Sequence, residues 1–100
     1  MIKVMIETYV KAKRNISLSL LELGIAASAH SRGFVSGETL LDTHDDSKII
    51  TLITWKSIED WEQWAKSEFR AKLYRDIETF LRKNPTVRIF EVVATEPGSQ

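Results

Sequence analysis

The sequence of 100 residues contains no cysteine, only two histidines, and as many acidic as basic side chains. Without cysteine it can form neither a disulfide nor a thiolate metal site, which fits a reducing compartment, and we expect a cytoplasmic protein. A chain with no net charge has no general attraction to phosphate backbones, so nucleic acid is not an expected partner. There is no long apolar run and no cationic leader, and we therefore expect neither membrane association nor a signal peptide.

Motifs for several common chemistries are also missing. The sequence has no glycine-rich phosphate loop, no dinucleotide fingerprint, no nucleophile elbow and no metal-type spacing of His and Cys. His30 ends the first expected helix and His44 lies in an acidic turn, so we expect both to be solvated. The polar turn of residues 42–47 is better explained as a hairpin connection than as a cation site. We expect no bound metal and no flavin.

Hydrophobic periodicity and turn signals divide the chain into seven elements. Ser57 and Ser67 are expected to cap two consecutive helices, Asn15 or Ser17 to cap the first helix, and Gly33 to close it. We expect one domain over residues 1–96 and a disordered tail over 97–100. The expected elements are a strand over 2–10, a helix over 15–31, strands over 34–42 and 49–55, helices over 58–66 and 68–83, and a strand over 86–95.

The element order β-α-β-β-α-α-β predicts an α+β, ferredoxin-like fold: an antiparallel four-stranded sheet with helices on one face. A sheet with one wet face should alternate apolar and polar residues. The third and fourth strands instead carry apolar side chains on both faces, and those facing away from the helices are Ile50, Leu52, Phe90 and Val92. A second copy of the chain is the simplest cover, so we expect a homodimer formed through the sheet faces.

Three tryptophans occur within ten residues, at positions 55, 61 and 64. Alternation along the strand and helical spacing place Trp55 and Trp61 in the core. Trp64 lies about 60° around the helix from Trp61, at the edge of the sheet-facing side. That position is compatible both with the core and with the wall of a pocket, and the sequence leaves the two alternatives open.

Arg70 and Tyr74 border the apolar stripe of the third helix. An arginine at such a border can hold an anionic or enolate oxygen. The alternative is an arginine that reaches solvent or pairs with Glu62 or Glu7.

Taken together, the element order and the segment from Thr54 to Phe69 resemble the antibiotic-biosynthesis-monooxygenase superfamily, a group of dimeric α+β barrels. Residues 33–38, Gly-Phe-Val-Ser-Gly-Glu, resemble that family's entrance to the second strand. The similarity extends from Lys3 to Val93. It implies back-to-back sheets and a ligand held between sheet and helices. The family includes cofactor-independent oxygenases of aromatic polyketides and heme-degrading monooxygenases.

The heme degraders use an asparagine on the first strand, a tryptophan on the short helix and a histidine ten residues later. Trp64 matches the tryptophan, whereas Thr8 and Tyr74 stand where the asparagine and histidine are expected. The resemblance therefore implies catalytic roles for Trp64, Thr8 and Tyr74, and substrate contacts from Trp64, Arg70 and Phe69. We expect a monooxygenase-like protein that acts without a cofactor on a small planar organic ligand. The alternatives are a non-catalytic dimeric binding protein for heme or another planar ligand, and a protein whose pocket has no strong ligand.

Overall fold

A computed structural model describes residues 1–98; residues 99 and 100, which belong to the tail expected at 97–100, lie outside it. The strands and helices follow one another in the predicted order. The elements are β1 (Ile2–Tyr9), α1 (Arg14–Ser28), β2 (Phe34–Leu41), β3 (Lys48–Trp55), α2 (Ile58–Ala65), α3 (Glu68–Glu78) and β4 (Thr86–Glu91).

The four strands form one antiparallel sheet in the order β2-β3-β1-β4. In the centre of the sheet, Val4 pairs with Ile53 on one side and with Ile89 on the other, and Ile6 pairs with Thr51. Because side chains alternate along a strand, this register puts one set of positions toward the helices and the other on the opposite, open face. The predicted ferredoxin-like α+β fold is confirmed.

The first helix differs from its predicted bounds at both ends. It begins after Lys13, which has a left-handed backbone (φ 54°), and no side chain caps it, so capping by Asn15 or Ser17 is wrong. The helix ends at Ser28, whose hydroxyl donates a hydrogen bond to the Ile25 carbonyl at 2.7 Å. Gly33, with φ 82°, instead belongs to the turn that leads into β2.

The third helix is shorter than predicted, because its last apolar residues have another role. Leu81 forms an isolated antiparallel bridge with Val10 and is buried. The Lys11 amide donates to the Phe80 carbonyl and the Arg82 amide donates to the Tyr9 carbonyl, each at 2.8 Å. These bonds extend the sheet beyond the end of β1, so the helix ends at Glu78 rather than at 83. The fourth strand likewise ends at 91 rather than 95.

The helix-facing side of the sheet carries the core. One cluster contains Val4, Ile6, Ile53, Trp55, Trp61 and Trp64, and the other contains Val10, Leu21, Ile49, Ile77 and Leu81. The core positions predicted for Trp55 and Trp61 are confirmed. The serine caps of the second and third helices are also as predicted, since Ser57 and Ser67 each accept a backbone N–H at 3.2 Å, from Asp60 and Arg70.

The open face of the sheet combines apolar side chains with one compact ionic group. Phe90 is 49% exposed, and Met5, Ile50 and Leu52 are half-buried beside it. In their midst, the Glu7 carboxylate accepts a hydrogen bond from the Tyr9 hydroxyl at 2.8 Å, and Lys48 Nζ and Arg88 Nε lie 3.3 and 3.5 Å from it. These donors lower the pKa of Glu7 below its ordinary value, with the Tyr9 hydrogen bond as the largest cause.

The edge strand β4 is uncovered on both of its faces. Val87 and Ile89 point to the helix side of the sheet, yet they are 42% and 43% exposed and belong to neither core cluster.

Candidate functional site

A small cavity lies between the sheet and the helices, at the point where all three helices meet the two central strands. Its volume is about 20 Å³, close to the space that one water molecule needs. We call it the inner cavity. Its walls are Ile6, Thr51 and Ile53 from the sheet, Leu21, Gly24 and Ile25 from α1, and Trp64, Arg70, Leu73 and Tyr74 from α2 and α3.

Two close approaches give this cavity its small size. A Cβ on Gly24 would stand 2.6 Å from Leu73 Cδ2, and a Cβ on Gly37 would stand 2.6 Å from Ile25 Cγ2. The two glycines therefore let α1 lie tightly against α3 and β2. A Cβ at either position would require the Leu73 or the Ile25 side chain to shift.

Arg70 is a half-buried cation in the cavity wall. Its guanidinium carbon lies 5.2 Å from the ring centroid of Trp61 and 4.6 Å from that of Tyr74, so it is held by two aromatic rings. Among residues 1–98 no carboxylate forms an ion pair with it. The alternative pairing with Glu7 is wrong, because Glu7 faces the other side of the sheet and binds Lys48 and Arg88.

Tyr74 stands next to Arg70 and also lines the cavity. Burial raises the pKa of its phenol above the ordinary value, and the neighbouring guanidinium offsets part of that shift. The phenol is therefore protonated at neutral pH, as a hydrogen-bond donor and not as a base. Tyr74 also borders a second groove of about 350 Å³ on the far side of α3.

Thr51 is the polar residue that the sheet adds to the cavity. It is 4% exposed, and its Oγ1 has no hydrogen-bond partner in the described part of the chain. Thr51 was not predicted from the sequence as a site residue. A usable signal was present, since the helix-facing positions of β3 are Ile49, Thr51, Ile53 and Trp55, and a hydroxyl breaks an otherwise apolar row.

Thr8, the first-strand candidate, occupies a different position. It is fully buried on the same side of the sheet, and its Oγ1 likewise has no partner within residues 1–98, but it does not line the cavity. Thr8 pairs with Ile49, whereas Thr51 pairs with Ile6. The threonine in contact with the cavity is thus on the third strand.

Trp64 lines two pockets, the inner cavity and a groove on the surface. It is 8% exposed and belongs to the core cluster, yet it also lines a large open groove of about 670 Å³. We call this the outer groove; its other walls are Ser31, Arg32, Ser57, Glu59, Asp60, Gln63 and Ser67. Both alternatives left open by the sequence are therefore met, because Trp64 is a core residue and a cavity wall at once.

The ring of Phe69, 46% exposed, lies 6.0 Å from Trp64 and does not reach the inner cavity.

The wall of the outer groove at Asp60 packs against a turn that requires glycine at position 33. The Asp60 carboxylate accepts the Ser57 hydroxyl at 2.9 Å and lies 3.8 Å from Arg32 Nε. A Cβ on Gly33 would overlap this carboxylate, and the positive φ of Gly33 disfavours any other residue there.

The remaining titratable groups lie apart from this site. His30 and His44 are exposed, as expected. Over residues 1–98, no group of three His, Cys, Asp or Glu side chains is arranged to hold a metal ion. None of the helices described combines the length and the apolarity needed to cross a lipid bilayer.

Solved structures with this architecture are numerous. An antibiotic biosynthesis monooxygenase superimposes with a TM-score of 0.83 at 18% identity, covering 94% of this chain and all of the other. SnoaB, a cofactor-independent oxygenase from Streptomyces nogalater, gives a TM-score of 0.86 at 13% identity over 97% of both chains. The chain has the antibiotic-biosynthesis-monooxygenase fold.

The resemblance found in the sequence is therefore confirmed for the fold. A further similar structure, from Bacteroides thetaiotaomicron, is described as of unknown function and a possible oxidoreductase (TM-score 0.81, 16% identity, 91% and 96% of the two chains). No family model matches the sequence, and no curated protein matches it significantly. The antibiotic-biosynthesis-monooxygenase fold thus includes both oxygenases and proteins without an established activity.

Proposed function

We propose that the protein is a monooxygenase-like enzyme that binds a planar aromatic substrate between sheet and helices and uses neither flavin nor metal. The observation that carries this proposal is the Arg70 guanidinium, which two aromatic rings hold at the inner cavity without a carboxylate partner among the described residues. A half-buried cation in such a place suits an oxyanion. The likeness in fold to a cofactor-independent oxygenase adds support.

The polar groups at the inner cavity can all donate hydrogen bonds. They are the Arg70 guanidinium, the protonated Tyr74 phenol and the Thr51 hydroxyl. Donors stabilise a phenolate or enolate more than the neutral phenol or enol, so they favour ionisation of the bound substrate. The ionised substrate is the electron-rich species that can reduce dioxygen directly.

In the proposed reaction a methylene that is conjugated through an aromatic ring to a ketone becomes a second carbonyl. The methylene gives one C–H proton to solvent water, which forms the enolate, and the enolate carbon passes electrons to dioxygen to form a carbon-bound peroxide. The O–O bond then breaks as the second C–H proton is lost. One oxygen atom becomes the carbonyl and the other leaves as water, so each CH2 group consumes one O2. The protein contributes orientation, oxyanion donors and the exclusion of water.

Substrate binding requires the site to open. An apolar cavity of roughly 150 Å³ holds a benzene ring, whereas the inner cavity measures about 20 Å³. Trp64 lines both this cavity and the outer groove. We propose that its indole moves toward the groove and stacks on the substrate ring, with Phe69 behind it. Only the substrate's oxygen would then occupy the present cavity.

An oxygen-consumption assay with a tricyclic anthrone, whose CH2 group is acidified by ring and carbonyl, tests this proposal. We expect one O2 consumed per quinone formed. Arg70→Met should lower the rate roughly 100-fold, the usual effect of removing one oxyanion donor. Arg75→Met, an exposed arginine on the same helix, is the matched control and should leave the rate unchanged. Equal rates for the wild type and Arg70→Met would refute the role of Arg70.

The second candidate is a non-catalytic binding protein for a planar phenol. It is favoured by one observation: none of the residues that line the inner cavity is a carboxylate or a histidine that could act as a base. Anthrone binding without oxygen consumption would support this candidate over the enzyme.

Heme fits the site less well than a phenol does. The one tyrosine at the cavity is held protonated by burial, whereas iron ligation requires a phenolate. We therefore expect hemin titration to give no Soret shift of the kind that tyrosinate ligation produces. A sharp shift that is lost in Tyr74→Phe would contradict this.

We further propose a homodimer sealed by the open face of the sheet. Phe90, Met5, Ile50 and Leu52 form an apolar surface there that nothing in residues 1–98 covers. Sedimentation at micromolar concentration should give twice the chain mass of 11.5 kDa. Phe90→Glu should give the monomer, because it would bury a charge at the interface. A wild-type protein that sediments only as a monomer would refute the dimer.

A further inference from the structure

We propose that Thr51 is a positioning residue that selects a free hydroxyl on the planar ligand and rejects the corresponding methyl ether. This inference rests on the proposed ligand site between sheet and helices, and it names the chemical class of that ligand: a phenol or enol whose oxygen is unsubstituted.

The Thr51 hydroxyl is buried and has no hydrogen-bond partner among residues 1–98. Thr51 lies in the middle of β3, is 4% exposed, and leaves its Oγ1 without a partner among the described residues. A buried polar atom without a hydrogen bond costs about 1–3 kcal/mol. Valine has nearly the same shape and would avoid this cost in a purely structural role. The hydroxyl is therefore suited to a partner that arrives with the ligand.

The position of Thr51 distinguishes it from the other buried hydroxyls. Three buried hydroxyls lack partners within residues 1–98, those of Thr8, Ser17 and Thr51, but only Thr51 lines the inner cavity. Arg70 and Tyr74 form another part of the same wall. A ligand oxygen in the cavity would thus be close to a sheet hydroxyl on one side and to helix-borne donors on the other.

The small size of the inner cavity also limits which group can enter it. A cavity of about 20 Å³ has space for one oxygen atom with its hydrogen, close to the needs of a water molecule. A methoxy group adds a carbon that this space cannot hold, and it replaces an ionisable O–H by an ether that cannot become an oxyanion. Size and charge therefore select the same class of ligand.

The test uses 4-nitro-1-naphthol and its methyl ether as probes, with dissociation constants from quenching of tryptophan fluorescence. Absorbance gives the pKa of the bound naphthol. We expect the wild type to bind the naphthol at least tenfold more tightly than the ether and to lower the naphthol's pKa on binding. Thr51→Val should weaken naphthol binding about tenfold, which corresponds to about 1.4 kcal/mol, and should return the bound pKa toward its value in water. Thr51→Ser should restore both.

Thr8→Val is the matched control, because it removes a buried and equally unpartnered hydroxyl from the neighbouring strand without touching the cavity. We expect it to leave naphthol binding unchanged. Thr51→Val should melt at the same or a higher temperature than the wild type, because it removes an unsatisfied group. If Thr51→Val melts at a lower temperature and binds the naphthol as the wild type does, the hydroxyl binds a structural water and not the ligand. That result would overturn the proposal.

The other outcomes separate this inference from the enzymatic proposal. Naphthol selectivity that depends on Thr51, in a protein that consumes no oxygen, supports the inference and rejects the oxygenase. Oxygen consumption with equal affinity for naphthol and ether rejects the inference and leaves the oxygenase standing. A wild type that fails to bind the naphthol at its solubility limit overturns the inference.

Discussion

Replacing Trp64 should separate its contribution to the fold from its contribution to the ligand site. With 8% exposure it buries most of its side chain, and burial of roughly 200 Å² at roughly 25 cal/mol per Å² is worth about 5 kcal/mol. Trp64→Ala would thus remove a large part of the 5–15 kcal/mol that stabilises a typical domain. Trp64→Phe is the more useful change, with an expected loss of about 1–3 kcal/mol.

The control must be a tryptophan that belongs to the core and not to the cavity. Trp61 has the expected helical position, but its ring also contacts Arg70 at 5.2 Å, so its removal would disturb the site. Trp55 is the better control, because it is fully buried, packs edge-on against Phe34 at 5.8 Å and lines neither the inner cavity nor the outer groove.

Melting temperature and naphthol affinity would be measured together on both variants. For a domain of this size, each 1 kcal/mol shifts the melting temperature by about 4–8 °C. We expect Trp55→Phe and Trp64→Phe to melt at lower temperatures, but only Trp64→Phe to lose affinity, about fivefold to tenfold for a weakened aromatic stack. Equal affinity in the two variants would refute the reasoning and make Trp64 a core residue alone.

Two further predictions concern the fold around the site. Glu7→Gln should lower the melting temperature at pH 7, because the lowered pKa of Glu7 means that its charged form stabilises the fold above the ordinary carboxyl pKa of 4.5. This stability is lost as the pH falls through the lowered pKa, so the difference from the wild type should shrink in acid; a difference that is constant with pH would contradict the assignment. Gly33→Ala should cost about 1–3 kcal/mol in chemical denaturation, since alanine is strained at φ 82° and its Cβ would overlap Asp60. An unchanged free energy of unfolding would show that the turn adapts.

The order of the elements and the topology could be predicted because their signals are local. Two serine caps mark the starts of α2 and α3; two acidic residues follow the first cap and one follows the second. The end of α3 could not be predicted in the same way. Leu81 fits the helical stripe by spacing, but it pairs with Val10, a contact between residues 71 positions apart that no local pattern reveals.

The candidate site was only partly accessible to sequence reasoning. Helical spacing brings Arg70 and Tyr74 to one face, and both line the inner cavity. Thr8 was chosen because the family resemblance implies a polar residue there, and Thr51 was missed. Both threonines are buried on the helix side of the sheet, and only the packing of the helices decides that Thr51 meets the cavity. The size of the cavity depends on the approach of α1 to α3 at Gly24, which only packing in three dimensions determines.

The central claim is that a planar ligand places its oxygen in the inner cavity, beside Arg70 and Thr51, while Trp64 moves toward the outer groove. A crystal structure of the protein with bound 4-nitro-1-naphthol tests this claim most directly. The account predicts the naphthol oxygen within about 3.2 Å of the Arg70 guanidinium and Thr51 Oγ1, with the Trp64 indole displaced and stacked on the ring. A naphthol that lies in the outer groove or in the second groove beside Tyr74, with Trp64 unmoved and the inner cavity closed, would contradict it.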